Sequence, residues 1–237
     1  MTTALSTATA VSDWARKFAD NTQQWQQFST TFDARTVQLE TDFIRSIQTF
    51  QLTEQSEGRR LMTVAKQYAS RHHRPDYVHV IRQFIGEEQR HADYLSRVLR
   101  ANGVSPLTKQ WTDSIFRHLR KLVGPEVMLS LLLTAEIIAI AYYSSLARAS
   151  QDPQAKRLFE RILQDETTHI QFHSEHMTAL APPANRLRWL VHRVCLALVA
   201  IVIWTDHRHV LSYRFSSVFQ MIRYCNTLLT KCMSTVL

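Results

Sequence analysis

The sequence predicts an all-α protein centred on a four-helix bundle, with a crossing connection inside it and extra helices at the C-terminus. Three observations carry this. Only 4 Gly and 6 Pro punctuate 237 residues, too few for a strand-rich fold with many turns. Apolar residues recur three and four apart over long stretches, the period of a helix face. A local pattern also occurs twice: Glu88 lies thirteen residues after Pro75 and is followed by His91, and Glu166 lies thirteen after Pro153 and is followed by His169.

Residues 1–35 are small and polar, with Gln-rich spacing around Trp14 and Trp25, and are expected to form an N-terminal polar arm or a short helix. A first long helix is expected from about Phe43 to Ala69, with Phe43, Ile47, Phe50, Glu54, Glu57, Leu61, Val64 and Tyr68 on one stripe. After the loop SRHHRP, a second runs from about Asp76 to Arg100, its stripe containing Tyr77, Ile81, Phe84, Glu88, His91, Leu95 and Val98. Gly103 stops it, with Pro106 behind. The segment LTKQWTDSIFRHLRKLVG is expected to be partly helical and to cross to the next pair.

The third helix, about Glu126 to Ala149, places Leu129, Leu132, Glu136, Ile140 and Tyr143 on one side. The fourth, about Pro153 to Leu180, aligns Ala155, Phe159, Ile162, Glu166, His169, His173 and His176. Two hairpins anchored at Pro75 and Pro153 thus make up residues 36–182. Residues 183–237 form a basic, partly apolar segment with a helix from about Arg186 to His209 and a helical tail.

Composition narrows the function classes. The net charge is +8, and it is uneven. From Arg186 onward seven Lys/Arg face one acid, Asp206, so the tail carries +6. Such a tail suits an anionic membrane surface, an acidic partner or a solvated helix face. No nucleic-acid-binding motif accompanies it, and nucleic acid is not an expected partner. The start has no cationic stretch before an apolar one, so no signal peptide is read. The longest apolar run, Val194 to Trp204, is short of the ~20 residues of a bilayer span and fits a buried or interfacial helix. Cys195, Cys225 and Cys232 are odd in number and lack ligand-like spacing, which points to a reduced chain. The expected location is cytoplasmic, with membrane association through the tail.

Charged residues on a core-facing stripe are costly unless paired or bound to metal. Glu54, Glu57, Glu88, His91, Glu136, Glu166 and His169 all fall on such stripes, at similar heights in antiparallel helices hinged at the two prolines. Glu136, in LLLTAEIIAIAYY, has apolar neighbours on both sides. Either it is a core acid paired to an Arg or His, or it is a metal ligand, and two Glu-x-x-His copies at matching depth favour the second. On the first helix Glu57 is the better-levelled ligand, with Glu54 nearly a turn away as the alternative. Tyr143 faces the same way as Glu136 and is the one candidate catalytic side chain. His173 and His176 continue the fourth stripe as an extra ligand, a proton carrier or a polar bundle end. His207 and His209 are read as an exposed helix end, and Arg82 and Arg90 as solvated.

These residues, Glu57 (or Glu54), Glu88-Gln89-Arg90-His91, Glu136 and Glu166-Thr167-Thr168-His169, resemble the ferritin-like di-metal carboxylate superfamily over about Phe43 to Leu180. FQLTEQSEGRRL with EEQRHA is also similar to bacterial ferritin-like domain proteins whose motifs approach those of rubrerythrins and demethoxyubiquinone hydroxylases. The resemblance implies two iron ions, or manganese with iron. It implies bridging Glu88 and Glu166, terminal Glu57 and Glu136, and one imidazole per metal from His91 and His169. Glu87 and Asp165 would each hold a ligand histidine of the opposite helix.

The implied activity is an oxidoreductase that activates O2 or peroxide. Its partners would be a small-molecule substrate, an electron donor of unidentified class and a second copy of the chain. Two other classes stay open: a ferroxidase or iron-handling protein, and a structural or partner-binding helical protein without catalysis. The chain departs from the best-known family members in lacking a rubredoxin-type four-cysteine motif and in being basic, whereas iron-storage cavities are acidic.

Overall fold

The computed structural model describes residues 2–56, 58–109, 125–180 and 186–234. Among these the chain is helical, with no strand. Its α-helices are α1 (Thr2–Thr31), α2 (Thr41–Ser56), α3 (Arg59–His72), α4 (Pro75–Ala101), α5 (Pro125–Ala149), α6 (Pro153–Leu180), α7 (Arg186–Leu211) and α8 (Val218–Ser234), with a 3-10 turn at Ala34–Thr36. Two compact units divide the chain. One comprises Met1–Val37 and Ile47–Lys121, the other Gln38–Ser46 and Leu122–Leu237.

In the first unit α3 and α1 both pack against α4. The residues expected as an arm or short helix form the 30-residue α1. It buries Trp14, Phe18 and Trp25 to within 2% of full burial, and Gln83 donates to the Ala15 carbonyl at 3.2 Å. α4 starts with Pro75 in its first turn, where a missing N–H costs nothing. Asp76 complements the helix dipole there and is gripped by Arg74 at 2.8 Å. At the other end Asn102 Nδ2 donates to the carbonyls of Val98 (2.9 Å) and Val37 (3.0 Å), and Gly103 takes φ +75° to turn the chain away.

The single helix expected from Phe43 to Ala69 is two helices. Gly58 separates α2 from α3 at φ +130°, ψ −55°, a backbone state that L side chains rarely adopt. A Cβ at Gly58 would stand 2.9 Å from Ile85 Cγ2 on α4, so the break lets the chain pass close to α4. Gly58→Ala is expected to cost about 3 kcal/mol, combining backbone strain with overpacking against Ile85. The denaturant midpoint of the variant measures this, and an unchanged midpoint would refute the account.

In the second unit α5 packs against α6, α7 and α8, and α7 packs along α8. α6 is N-capped by Asp152, whose Oδ1 accepts from Ala155 N at 2.8 Å ahead of Pro153. α5 and the stretch Trp189–Leu211 of α7 are each long and apolar enough to cross a membrane. α5 is 83% buried over that stretch, as a core helix is, while α7 is only 22% buried. The crossing connection expected before α5 lies mostly outside the described residues.

His207 corrects the expected exposed end. It is 2% exposed and bends α7 locally, with φ −121° and ψ 15°. Its Nδ1 lies 2.8 Å from Ser46 Oγ, which also meets the Tyr142 hydroxyl at 2.9 Å. His209 is exposed as expected. Arg82 is exposed, but Arg90 is half-buried, donates to Thr22 Oγ1 at 3.2 Å and lies over the Trp25 ring. The three cysteines are free thiols, Cys195 exposed and Cys225 and Cys232 buried. Burial pushes the Cys225 thiol up to about 12 and that of Cys232 up to about 11.

Candidate metal centre

Each unit contains a buried cluster of carboxylates and imidazoles. In the first, Glu88 and His91 stand one turn apart on the buried face of α4 and Glu54 comes from α2. Their exposures are 3%, 0% and 6%. Each offers a donor atom within 4.8 Å of the other two, and His91 Nδ1 lies 3.9 Å from Glu88 Oε1. Of the two acids weighed from sequence for the first helix, Glu54 therefore joins this cluster. Glu57 lies outside the described residues.

The neighbours of this cluster come from α1, where the sequence reading placed no functional side chain. Trp25 packs on the His91 ring, with centroids 5.9 Å apart. Asn21 Nδ2 donates to Glu87 Oε1 at 2.6 Å, so Glu87, 1% exposed, is a held acid rather than a solvated one. The signal was present in the spacing of Trp14, Phe18, Asn21 and Trp25, one helix stripe diluted by small residues. Asn21→Ala removes a bond to a buried carboxylate and is expected to cost about 2 kcal/mol, read as a lower thermal midpoint. An unchanged midpoint would mean that the bond contributes nothing.

In the second unit Glu136 projects from α5 towards Glu166, His169 and His173 of α6. All four are at most 5% exposed. Glu136, Glu166 and His169 again hold donor atoms within 4.8 Å of one another. His169 Nδ1 is 3.6 Å from Glu136 Oε2 and 3.5 Å from Glu166 Oε2. The other Glu136 oxygen, Oε1, is 3.2 Å from His173 Nε2. His173 thus engages one carboxylate oxygen while the other faces His169.

Burial alone would raise the Glu136 carboxyl, but the His169 and His173 imidazoles and the Glu166 carboxyl around it outweigh that and hold it well below the usual range. Asp165, 2% exposed, is bound by Arg161 at 2.7 Å. Tyr143 is fully buried, its ring set edge-on to Tyr142 at 5.4 Å. The His176 side chain lies outside the described residues.

Both clusters fit a cation. The 3.5–3.9 Å separations between Nδ1 and carboxylate oxygen are long for hydrogen bonds. They match the roughly 3–4 Å between donors that each sit about 2.1 Å from one ion. Two carboxylates per cluster also balance the charge of one divalent cation, which offsets the cost of burying them. Oxygen donors with one imidazole, and no thiolate, suit iron or manganese. The chain contains buried acid–histidine clusters that can bind metal, in a helical setting compatible with a ferritin-like fold. Comparison with models of known families, with curated proteins and with solved structures returns no match.

Proposed function

We propose that the protein is a di-iron, or manganese–iron, carboxylate oxidoreductase that activates O2 or peroxide, with the two clusters serving one dinuclear centre in a ferritin-like bundle. The observation that carries this reading is the duplication. The same Glu-x-x-His stands at the same offset from a helix-starting proline in each half, buried in both. Each copy is joined by a further acid, Glu54 or Glu136. Four carboxylates and two imidazoles are the donor set that holds such metal pairs in helical bundles.

In this reading Glu54 (or Glu57), Glu88 and His91 would hold one metal, and Glu136, Glu166 and His169 would hold the other. The pair, when bound, supplies electrons to O2 or peroxide. The chain's own contribution is to exclude water from the donors and to orient them. His173 fixes one Glu136 oxygen and leaves the other for metal. Trp25 and Asn21 restrain His91 and Glu87. Iron handling without an organic substrate uses the same ligands, but a chain of net charge +8 is poorly suited to concentrating cations.

The test is metal content and coupling in protein from iron- and manganese-supplied cells. Two metals per chain, magnetically coupled, and O2 consumption with a reductant are expected. Two uncoupled metals would reject the shared centre, and no tightly bound metal would reject the reading altogether.

A further inference from the structure

We propose that the outer face of α7 docks on an anionic phospholipid bilayer, with the helix lying in the membrane plane. Leu187, Leu190, Val191, Val194, Leu198 and Ile201 are 43% to 66% exposed and recur three and four residues apart. They form one stripe about 21 Å long, and no charge interrupts the sequence from Val194 to Trp204. A large apolar stripe open to water marks an interaction surface.

The opposite side of the same helix decides how lipid would be met. His192, Leu196, Ala200 and Ile203 are buried, α7 packs against α5, and His192 Nε2 lies 3.0 Å from Thr134 Oγ1. A helix already committed to protein along one side cannot be ringed by acyl chains. Although Trp189–Leu211 has the length and composition of a span, it therefore contacts lipid with one face only, as an interfacial helix does.

Charge and aromatic placement select the occupant. Trp204 stands at the C-terminal end of the apolar run, the residue type enriched at headgroup level, whereas Trp189 stacks on buried His192. Arg193 and Arg208 on α7 and Arg223 and Lys231 on α8 are exposed. Only Asp206 opposes the seven basic residues from Arg186 onward. A second copy of the chain would bring two such +6 segments together, whereas an anionic lipid surface attracts them. Phe219 on α8, 76% exposed, adds a further apolar anchor.

The experiment uses the full chain, metal-loaded and metal-free, so that it stands apart from the metal reading. Cys195 is the exposed thiol and takes a fluorophore, while Cys225 and Cys232 are buried. The protein is expected to sediment with phosphatidylcholine–phosphatidylglycerol vesicles and not with pure phosphatidylcholine. The label should be quenched by shallow, headgroup-level quenchers. Leu198→Gln with Ile201→Gln should weaken partition about tenfold or more. Arg193→Gln with Arg208→Gln should weaken binding to the anionic vesicles about tenfold or more, while Arg223 and Lys231 retain part of the preference.

Both pairs are exposed, so circular dichroism should match the parent. If the Gln pair misfolds, the arginine pair and the depth of the label decide. Failure to bind either vesicle, or unchanged binding in both variant pairs, would overturn the proposal. So would quenching at bilayer depth, or a stable dimer in vesicle-free solution that Leu198→Gln dissociates.

Discussion

Glu136→Gln is expected to abolish tight metal binding by the Glu136–Glu166–His169 cluster. The substitution keeps the shape of the side chain and removes its charge. Loss of a supporting partner already costs metal sites about 10–100-fold in affinity, and loss of a ligating carboxylate should exceed that. The metal-free protein is expected to lose stability as well. Against the cost of burial, the His169 and His173 imidazoles and the Glu166 carboxyl hold the Glu136 carboxyl well below its usual range. Its ionised form therefore stabilises the folded state, and a neutral amide forfeits that.

A purely structural acid–imidazole pair predicts the loss of stability alone, about 3–5 kcal/mol for breaking a buried pair, with metal affinity unchanged. Competition with a chelator gives the affinity, and the denaturant midpoint of chelated protein gives the stability. A large loss of stability with unchanged affinity would make the cluster structural. His173→Phe sharpens the test. It removes the 3.2 Å contact to Glu136 Oε1 without removing a proposed ligand, so affinity should fall about 10–100-fold with the metal count preserved at saturation.

Much of this cluster was legible because it rests on local order. Pro153 and Asp152 set the start of α6, and i, i+3 spacing then places Glu166 and His169 on one face whatever packs against them. Glu136 stood out because a charge among apolar residues needs a reason. What could not be read depended on contacts distant in sequence. A lone Gly58 inside a helical pattern is usually tolerated. Only the approach to Ile85, 27 residues on, makes a break there favourable, and that break is why the first expected helix is two. α1 was underestimated because Ala, Ser, Thr and Gln surround its aromatic stripe, while tertiary burial of Trp14, Phe18 and Trp25 decides its length. His207 sits in a polar run, WTDHRH, that reads as surface, yet Ser46 and Tyr142 draw it inward. The four-helix arrangement rests on the paired hairpins of the sequence, and the structure itself establishes the helical class and the packing within each unit.

The second unit is expected to lose about 5 kcal/mol of stability on acidification from pH 6.5 to pH 4, and two histidines account for it. Burial pushes His192 down to about 4. Burial likewise pushes His207 down to about 4, with Asp206 opposing and exposed His209 adding slightly. Their ordinary value is 6.5. A depressed histidine binds fewer protons folded than unfolded. Stability is therefore full above the unfolded value, falls as pH drops below it, and has lost its whole contribution below the folded value. A shift of this size is worth about 3 kcal/mol per residue, a large share of the ~5–15 kcal/mol that holds a domain together.

Leucine at either position isolates its share, because neither bonded partner is left stranded. Thr134 Oγ1 keeps its bond to the Ser130 carbonyl at 2.9 Å, and Ser46 keeps Tyr142 at 2.9 Å. His192→Leu and His207→Leu should each remove about half of the acid-induced drop in urea midpoint, and the double variant most of it. The chelated protein is the proper material, since metal release by protonated ligands would add its own acid dependence. Parallel pH profiles for the parent and the double variant would show that the acid sensitivity resides in the carboxylate clusters and not in these two imidazoles.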